Sequence, residues 1–324
     1  MNDAIIDVRS AVSVIQQFSG MAATQHTLKW KNRAEPVIIF SHKKENRFRL
    51  ENMDKQARMI FFSDIDDTMV GSDKSMSQET KSALEEFIRR GNIFAVSTGR
   101  AAAAAVNLVR SLGFYGKCII SAYNGGQIID TANDKTICRK GIPADLVEEV
   151  FETACRFGIH IQTYTDTHVL ALEDNEYLRR YSKVQNIPFC VVSDIRNALT
   201  QEPCKILAVD YDDQDKVSRF EELVKARYEG ILDAFRSSPA YLEIVPTGVN
   251  KGAAIRFLSE YLGIPVSNTI SAGDEHNDIQ MIEAAGIGCA VQNAVPDLKA
   301  CADYITENDC NHSAVAEILY KYCL

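Results

Sequence analysis

The sequence lacks an excess of basic residues. Its 35 lysines and arginines are outnumbered by 44 aspartates and glutamates, which gives a formal net charge of -9. The phosphates of nucleic acids and the headgroups of anionic lipids repel such a chain. We therefore expect a small molecule as its partner, and neither nucleic acid nor membrane.

The sequence also lacks a CxxC pair and a long apolar run. Its nine cysteines are scattered and odd in number, so they predict neither a disulfide framework nor a zinc site. No apolar run reaches the roughly 20 residues that cross a bilayer. The segment MNDAIIDVRS has neither the basic start nor the apolar stretch of a signal peptide. Reduced thiols and these features predict a cytoplasmic protein.

From Met59 onward, buried-strand patterns alternate with amphipathic helices. MIFFS and NIFAVSTGR read as strands, and each is followed by a helical pattern of ordinary length. Strands that alternate with helices in this way form βαβ units around a parallel sheet. The sequence therefore predicts an α/β fold with a Rossmann-like core.

This rhythm changes between Gly126 and about Pro246. QIIDTANDKTICR predicts a hairpin, and the patterns after it predict further strands and helices of an α+β module. We expect an extension of unknown role over residues 1–58, a core over 59–126 and 247–324, and an inserted module over 127–246.

Three carboxylates stand close together in FFSDIDDTMV, directly after the first buried strand. Asp64, Asp66 and Asp67 fall within four positions. Like charges a few ångströms apart repel by roughly 1 to 4 kcal/mol, depending on the local dielectric. A bound cation or a shared proton usually offsets such a cost.

Three further motifs fall at predicted strand ends or helix starts. They are Ser97-Thr98-Gly99-Arg100, then Lys251 in PTGVNKG, and then GDEHND with Asp274, Asn277 and Asp278. The carboxyl ends of parallel strands meet at one edge of the sheet, so we expect all four motifs to converge there. A hydroxyl, helix-start N–H groups and a lysine suit a phosphate oxygen.

These motifs, in this order, resemble those of the haloacid dehalogenase superfamily of phosphatases. The branch that they resemble most is the Cof-type, subfamily IIB, whose members look like sugar phosphatases, and NGG and LEIVPTGVNKG also fit it. The resemblance covers roughly residues 59–324, and it implies that the inserted module is a cap that sets substrate specificity. Asp67 is a departure, because glycine is commoner at that position in this branch.

The resemblance implies a role for each of these residues. Asp64 would be the nucleophile that attacks phosphorus, and Asp66 would move protons as general acid and base. Mg²⁺ would be held by Asp64, the main-chain carbonyl of Asp66, and Asp274. The supporting residues would be Thr98, Lys251 and Asn277 at the phosphate, Asp278 as an orienting residue, and Arg100 and Asn124 as substrate contacts or braces.

The function predicted in this way is a Mg²⁺-dependent phosphatase that acts on a small phosphorylated metabolite, with a sugar phosphate first among the candidates. A sucrose-phosphate or mannosylglycerate-phosphate type of phosphatase is a nearby alternative. A phosphomutase of related fold is the second rival, and a non-catalytic sugar-phosphate-binding regulator is a third, from another class. The complete set of acidic residues argues against the regulator, because binding alone does not need Asp66.

Overall fold

A computed structural model of the protein describes residues 57–324. The predicted extension over 1–58, with its helix and strand patterns, lies outside these residues except for its last two positions. Within the part that is described, no helix is both long enough and apolar enough to cross a membrane.

Strands and helices alternate along the described chain. The strands are β1 (Ile60–Ser63), β2 (Ile93–Ser97), β3 (Ile119–Ala122), β4 (Gln127–Asp130), β5 (Lys135–Arg139), β6 (His160–Tyr164), β7 (Val169–Ala171), β8 (Phe189–Val191), β9 (Ile206–Val209), β10 (Leu232–Ser238), β11 (Tyr241–Pro246), β12 (Thr269–Gly273), β13 (Ile287–Ala290) and β14 (Tyr304–Ile305). The α-helices are α1 (Gln78–Arg89), α2 (Ala102–Leu112), α3 (Ala144–Phe157), α4 (Glu176–Gln185), α5 (Ile195–Ala198), α6 (Gln214–Arg227), α7 (Lys251–Leu262), α8 (Ile279–Ala284), α9 (Pro296–Cys301) and α10 (Ala314–Tyr322).

The core sheet has eight strands in the order β14-β13-β12-β1-β2-β3-β4-β5. The neighbours from β14 to β3 are all parallel. The chain leaves β1 toward β2 and β3 and later returns on the other side of β1 with β12. The predicted α/β class with a parallel core sheet is confirmed.

Helices cover both faces of this sheet, because the side chains of each strand alternate between them. In β1, Phe61 packs in the same cluster as α1, α2 and α10, whereas Ile60 and Phe62 pack in the cluster that contains α7 and α8. All three side chains are fully buried. The resulting three layers fix the end of β1 firmly within the protein.

The insertion forms a second sheet of six strands in the order β10-β11-β9-β6-β7-β8. It is antiparallel except between β7 and β8. Helices α3 and α6 pack against one face, where they share a cluster with Leu242 and Ile244 of β11. Glu243 lies between these two residues and therefore points to the opposite face.

The hairpin at the start of the insertion differs from the prediction. We expected β4 and β5 within the inserted module, but β4 pairs with β3 in antiparallel register and β5 pairs with β4, so both belong to the core sheet. A hairpin pairs only the backbone groups between its own two strands, so its outer edges can extend either sheet. The second sheet itself begins only at β6.

Reversal of the strand order at β1 places a crevice beside its carboxyl end. Strands β2 and β12 flank β1, and the chain leaves toward one side and returns on the other. In open α/β sheets, ligands bind at such a switch point, outside the carboxyl ends of the strands. The segments that follow β1, β2 and β12 carry three of the four motifs.

Candidate active site

The first carboxylate directly follows the central strand of the core sheet. The backbone N–H of Asp64 donates to the carbonyl of Ala272 in β12 at 3.0 Å, which continues the parallel pairing one residue beyond β1. Its position is therefore set by the sheet and not by a free loop. The side chain lines a cavity at the crevice, although Asp64 is only 8% exposed.

Lys251 bridges two of the predicted site carboxylates. It is the first residue of α7, and Asn250 caps that helix by accepting from the N–H of Ala253 at 2.7 Å. Its ammonium donates to Oδ1 of Asp64 and to Oδ1 of Asp278, both at 2.5 Å. Burial lowers the pKa of Lys251, but the carboxylates of Asp278 and Asp64 raise it by more, so this pKa lies above its ordinary value. Lys251 is a fully buried cation at neutral pH.

Asp64, Asp274 and Asp278 form an acidic cluster in which one oxygen of each carboxylate lies within 4.8 Å of the other two. Burial raises the pKa of Asp64 well above its ordinary value in spite of Lys251. Burial also raises the pKa of Asp274 to about 7, although Thr68 donates to its Oδ1 at 2.6 Å. When all three carboxylates are ionised against the one ammonium, the cluster has an excess of two negative charges, which a divalent cation would balance.

The donor set fits a hard cation such as Mg²⁺, because all three groups offer oxygen. Asp278 differs from the other two in that both of its oxygens are engaged. Its Oδ1 accepts from Lys251, and its Oδ2 accepts from the backbone N–H groups of Asp274 and Glu275 at 3.1 and 3.2 Å. Asp278 thus holds Lys251 and the turn after β12 in place.

Asp66 is held by two cations. The guanidinium of Arg100 donates to both carboxylate oxygens at 2.6 and 2.7 Å, and the ammonium of Lys74 lies 2.8 Å from Oδ1. Burial raises the pKa of Asp66, but the contacts with Arg100 and Lys74 outweigh it and lower that pKa below its ordinary value. In this geometry Asp66 is an ionised hydrogen-bond acceptor.

Asp67 occupies a turn position that favours glycine. Its φ of 56° lies in the left-handed region, and the turn closes through the N–H of Met69 on the carbonyl of Ile65 at 3.0 Å. Aspartate tolerates this region better than most residues. The backbone therefore explains why glycine is common here in the branch that the sequence resembles, and why Asp67 can replace it.

Thr98 lies in the turn between β2 and α2. Its N–H donates to the carbonyl of Ser121 at 2.8 Å, and its hydroxyl accepts from the N–H of Arg100 at 3.1 Å. Thr98 is 2% exposed and lines the same cavity as Asp64. We call residues Thr98, Gly99 and Arg100 the phosphate turn.

Asn124 links the phosphate turn to the start of α7. Its N–H donates to the carbonyl of Thr98 at 2.9 Å, and its side chain accepts from Asn277 at 3.4 Å. The next residue, Gly125, has a φ of 101°, and an added Cβ would come within 2.8 Å of the carbonyl of Asn250. The turn that contains Asn124 therefore packs directly against Asn250, the N-cap residue of α7.

The insertion supplies one wall of the cavity, through helix α4 and the second sheet. The cavity has a volume of about 320 Å³. The residues of this wall are Tyr181, Gln185, Lys205, Leu207, Ser237, Tyr241 and Glu243. The rings of Tyr181 and Tyr241 meet edge to face, with centroids 5.8 Å apart. Lys205 and Glu243 form an ion pair at 3.2 Å, and their side chains are 2% and 7% exposed.

Sequence reasoning missed Lys205, Glu243 and Lys74. Lys205 directly precedes the apolar run of β9, where a lysine reads as the polar edge of a strand. Glu243 lies in LEIVP, between two apolar residues that face the other side of the sheet, and this alternation was its only local signal. Lys74 lies in a polar segment before α1, where a lysine usually faces solvent.

All nine predicted site residues lie near the crevice of the core sheet. The cavity contacts Asp64, Asp66, Thr98, Arg100, Asp274 and Asn277. The other three lie next to this group, and each is hydrogen-bonded to one of its members: Lys251 to Asp64, Asp278 to the backbone N–H of Asp274, and Asn124 to Asn277.

The sequence model of the haloacid dehalogenase-like hydrolases matches residues 61–319. This match spans most of the chain, so the protein belongs to that family, and the predicted resemblance is confirmed. The predicted enzyme class, a phosphatase of the haloacid dehalogenase type, is also confirmed.

Two relatives and one solved structure illustrate the match. A 5-amino-6-(5-phospho-D-ribitylamino)uracil phosphatase of Bacillus subtilis is 28% identical over 76% of this chain and 88% of its own length. An HMP-PP phosphatase of Serratia proteamaculans is 26% identical over 80% of this chain and 93% of its own. A haloacid dehalogenase-like hydrolase of Bacteroides thetaiotaomicron has a TM-score of 0.75 at 27% identity, covering 82% of this chain and 99% of its own.

Proposed function

We propose that the protein is a Mg²⁺-dependent phosphatase that hydrolyses a small phosphorylated metabolite, with a sugar phosphate as the preferred class. The reaction would proceed through an aspartyl-phosphate on Asp64. One observation supports this proposal most: the buried carboxylate of Asp64, at the carboxyl end of β1, accepts from the same ammonium of Lys251 as Asp278 and lies beside Asp274.

Asp64, the main-chain carbonyl of Asp66, and Asp274 would hold the Mg²⁺. When bound, the ion would neutralise charge on the substrate phosphate and on the cluster of carboxylates. The excess of negative charge in the cluster supports this assignment. Asp278 would not bind the ion, because Lys251 and two backbone N–H groups already engage its oxygens.

Asp64 would attack phosphorus, and the ester oxygen would leave with a proton from Asp66. Asp66 would then take a proton from the water that hydrolyses the aspartyl-phosphate. Asp66 is ionised in its ion pair with Arg100 and Lys74, so to act first as an acid it must leave these cations and take up a proton from solvent. The substrate phosphate offers these two cations another anion, and we propose that it draws Arg100 away.

Thr98, Lys251 and Asn277 would contact the transferring phosphoryl group, whose charge needs fixed donors. Once Arg100 has left its ion pair with Asp66, its guanidinium would contact the substrate. Asn124 braces the site, since its side chain and backbone contact Asn277 and Thr98. Asp278 would keep Lys251 oriented toward Asp64.

We assign the core to residues 59–126 and 247–324 together with the β4–β5 hairpin, and a specificity cap to the rest of the insertion over 127–246. The support is the cavity wall that the insertion supplies opposite Asp64. A cap of this kind would recognise the leaving group, and its polar wall suits the hydroxyls of a sugar. Within residues 57–324, which include all nine cysteines, no disulfide bond is formed, and this supports a cytoplasmic enzyme.

The test is release of inorganic phosphate from a panel of phosphorylated sugars and other metabolites, and from p-nitrophenyl phosphate, with Mg²⁺ and after chelation by EDTA. We expect phosphate release that stops with EDTA and returns with Mg²⁺. The Asp64→Asn variant, purified in the same way, is the control for contaminating phosphatases. Isomerisation of a sugar phosphate without phosphate release would instead indicate a phosphomutase. Tight binding without any reaction would indicate a regulator.

A further inference from the structure

Lys205 and Glu243 form a buried ion pair that the reaction proposed above does not use. Both belong to the inserted module, Lys205 directly before β9 and Glu243 in β11. Their side chains are 2% and 7% exposed, and the ammonium lies 3.2 Å from Oε1 of Glu243. A buried ion pair rarely adds net stability over apolar residues, so its presence beside an active site needs another explanation.

Both members of the pair reach out of the insertion to the core. The ammonium of Lys205 donates to the carbonyl of Gly99 at 2.8 Å. The other oxygen of Glu243, Oε2, accepts from the side chain of Asn124 at 3.1 Å. Asn124 in turn donates its backbone N–H to the carbonyl of Thr98 at 2.9 Å. The pair is therefore linked to the phosphate turn in two ways: directly from Lys205 to Gly99, and from Glu243 through Asn124 to Thr98.

The contact with Gly99 fixes the orientation of one peptide group. The carbonyl of Gly99 and the N–H of Arg100 belong to the same planar trans peptide, so they point in opposite directions. Lys205 holds the carbonyl, and the hydroxyl of Thr98 accepts from the N–H. Without Lys205 this peptide could rotate. The Thr98 hydroxyl would then lose its hydrogen bond from the N–H of Arg100 and its fixed orientation.

The surroundings of Lys205 hold its charge in this position. Its ammonium lies 5.7 Å from the ring centroid of Tyr123 and 5.5 Å from that of Tyr164, within the range of cation–π attraction. One ring belongs to the core and the other to the insertion. Lys205 is thus enclosed by groups from both parts and cannot easily turn toward solvent.

We propose that Lys205 and Glu243 are a positioning pair that holds the phosphate turn of the core in its reactive geometry. This inference rests on the proposed phosphatase function and adds to it. The cap then has two roles. It recognises the leaving group, and it completes the site that binds the phosphoryl group. Every phosphate ester should therefore depend on the pair, whatever its leaving group.

The test compares Lys205→Met, Glu243→Gln and the double variant, with p-nitrophenyl phosphate and with the metabolite that the wild type hydrolyses fastest in the panel. We expect kcat of Lys205→Met to fall about 10- to 100-fold with both substrates, since a displacement of about 1 Å can cost a hundredfold. The concentration of Mg²⁺ that gives half-maximal activity should stay within about twofold, because the pair contacts no metal ligand side chain.

The double variant separates positioning from simple destabilisation. Met beside Gln leaves no unpaired buried charge, and Gln keeps the shape of Glu243, so this variant should fold even where Lys205→Met is unstable. We expect it to be as slow as Lys205→Met, within about threefold, because either change breaks the same linkage. Recovery to within about twofold of the wild type would overturn the proposal.

Lys216→Met is the matched control, because it breaks another ion pair of the insertion, that of Lys216 with Asp210 at 3.1 Å. It should keep wild-type kcat, and an equal loss there would show a general effect of weakening the insertion. Normal hydrolysis of p-nitrophenyl phosphate by Lys205→Met, with loss confined to the metabolite, would mean that the pair contacts the leaving group. Either result overturns the proposal. A wild type that releases no phosphate would instead refute the proposed function.

Discussion

Replacing Lys251 with methionine should destabilise the protein strongly, because Lys251 is the buried cation of the acidic cluster. Its ammonium lies 2.5 Å from both Asp64 and Asp278, and its side chain is fully buried. Methionine keeps much of the side-chain volume but removes the charge. Removing one partner of a buried ion pair typically costs about 3–5 kcal/mol, because the other charge stays buried without a partner.

A loss of this size should lower the melting temperature of the metal-free protein by roughly 4–7 °C, at about 1.5 °C per kcal/mol for a chain of 324 residues. The variant also has one more unbalanced negative charge at the cluster. Mg²⁺ should therefore raise the melting temperature of Lys251→Met by more than it raises that of the wild type. Its kcat should fall about 10²- to 10³-fold, because a fixed donor to the phosphoryl group is lost.

The assay is thermal unfolding with EDTA and with saturating Mg²⁺, beside steady-state hydrolysis of p-nitrophenyl phosphate. Lys183→Met, at an exposed position in α4, is the control and should behave like the wild type in both. A destabilisation of Lys251→Met below about 1 kcal/mol would refute the buried pairing. A smaller effect of Mg²⁺ on the variant than on the wild type would refute the charge balance of the cluster.

Three further expectations follow from the site. The pKa of about 7 for Asp274 means that a proton competes with Mg²⁺ below that pH, so the apparent Kd for Mg²⁺ should rise at least about tenfold between pH 8 and pH 6 in titration calorimetry. A flat profile would contradict the assignment of Asp274 as a ligand. A chain that starts at Met53 should keep kcat within about tenfold, or ~1.4 kcal/mol in the barrier, because all the site residues follow it. A thousandfold loss would place part of the site in the first 52 residues. Tyr241→Ala should change the substrate ranking while hydrolysis of p-nitrophenyl phosphate persists, and an unchanged ranking would remove Tyr241 from the specificity wall.

The convergence of the four motifs was predictable because it follows from topology. Asp64 and Asp274 each follow a buried strand, and parallel strands end at the same edge of the sheet. The placement of Lys251 was predictable for a similar reason, since Asn250 is a strong helix cap and sets the start of α7. Local patterns carry this kind of information.

Other features depend on contacts between distant segments, which no local pattern records. The ion pair of Asp66 with Arg100 joins residues 34 positions apart, and that of Lys205 with Glu243 joins residues 38 apart. A lysine or glutamate beside a strand is exposed by default, so its burial becomes visible only with its partner. The hairpin of β4 and β5 was misplaced for the same reason, because its own residues do not determine which sheet edge it joins.

The central claim is that Asp64 attacks phosphorus, and the Asp66→Asn variant tests it most directly. This variant keeps the nucleophile but loses the acid–base group, typically worth about 10² to 10⁴ in rate. After rapid mixing with an activated ester such as p-nitrophenyl phosphate and an acid quench, peptide mass spectrometry should find one phosphate on Asp64. Asp64→Asn under the same conditions should carry no phosphate and show no turnover. Phosphate on any other residue, or near wild-type turnover by Asp64→Asn, would contradict the account.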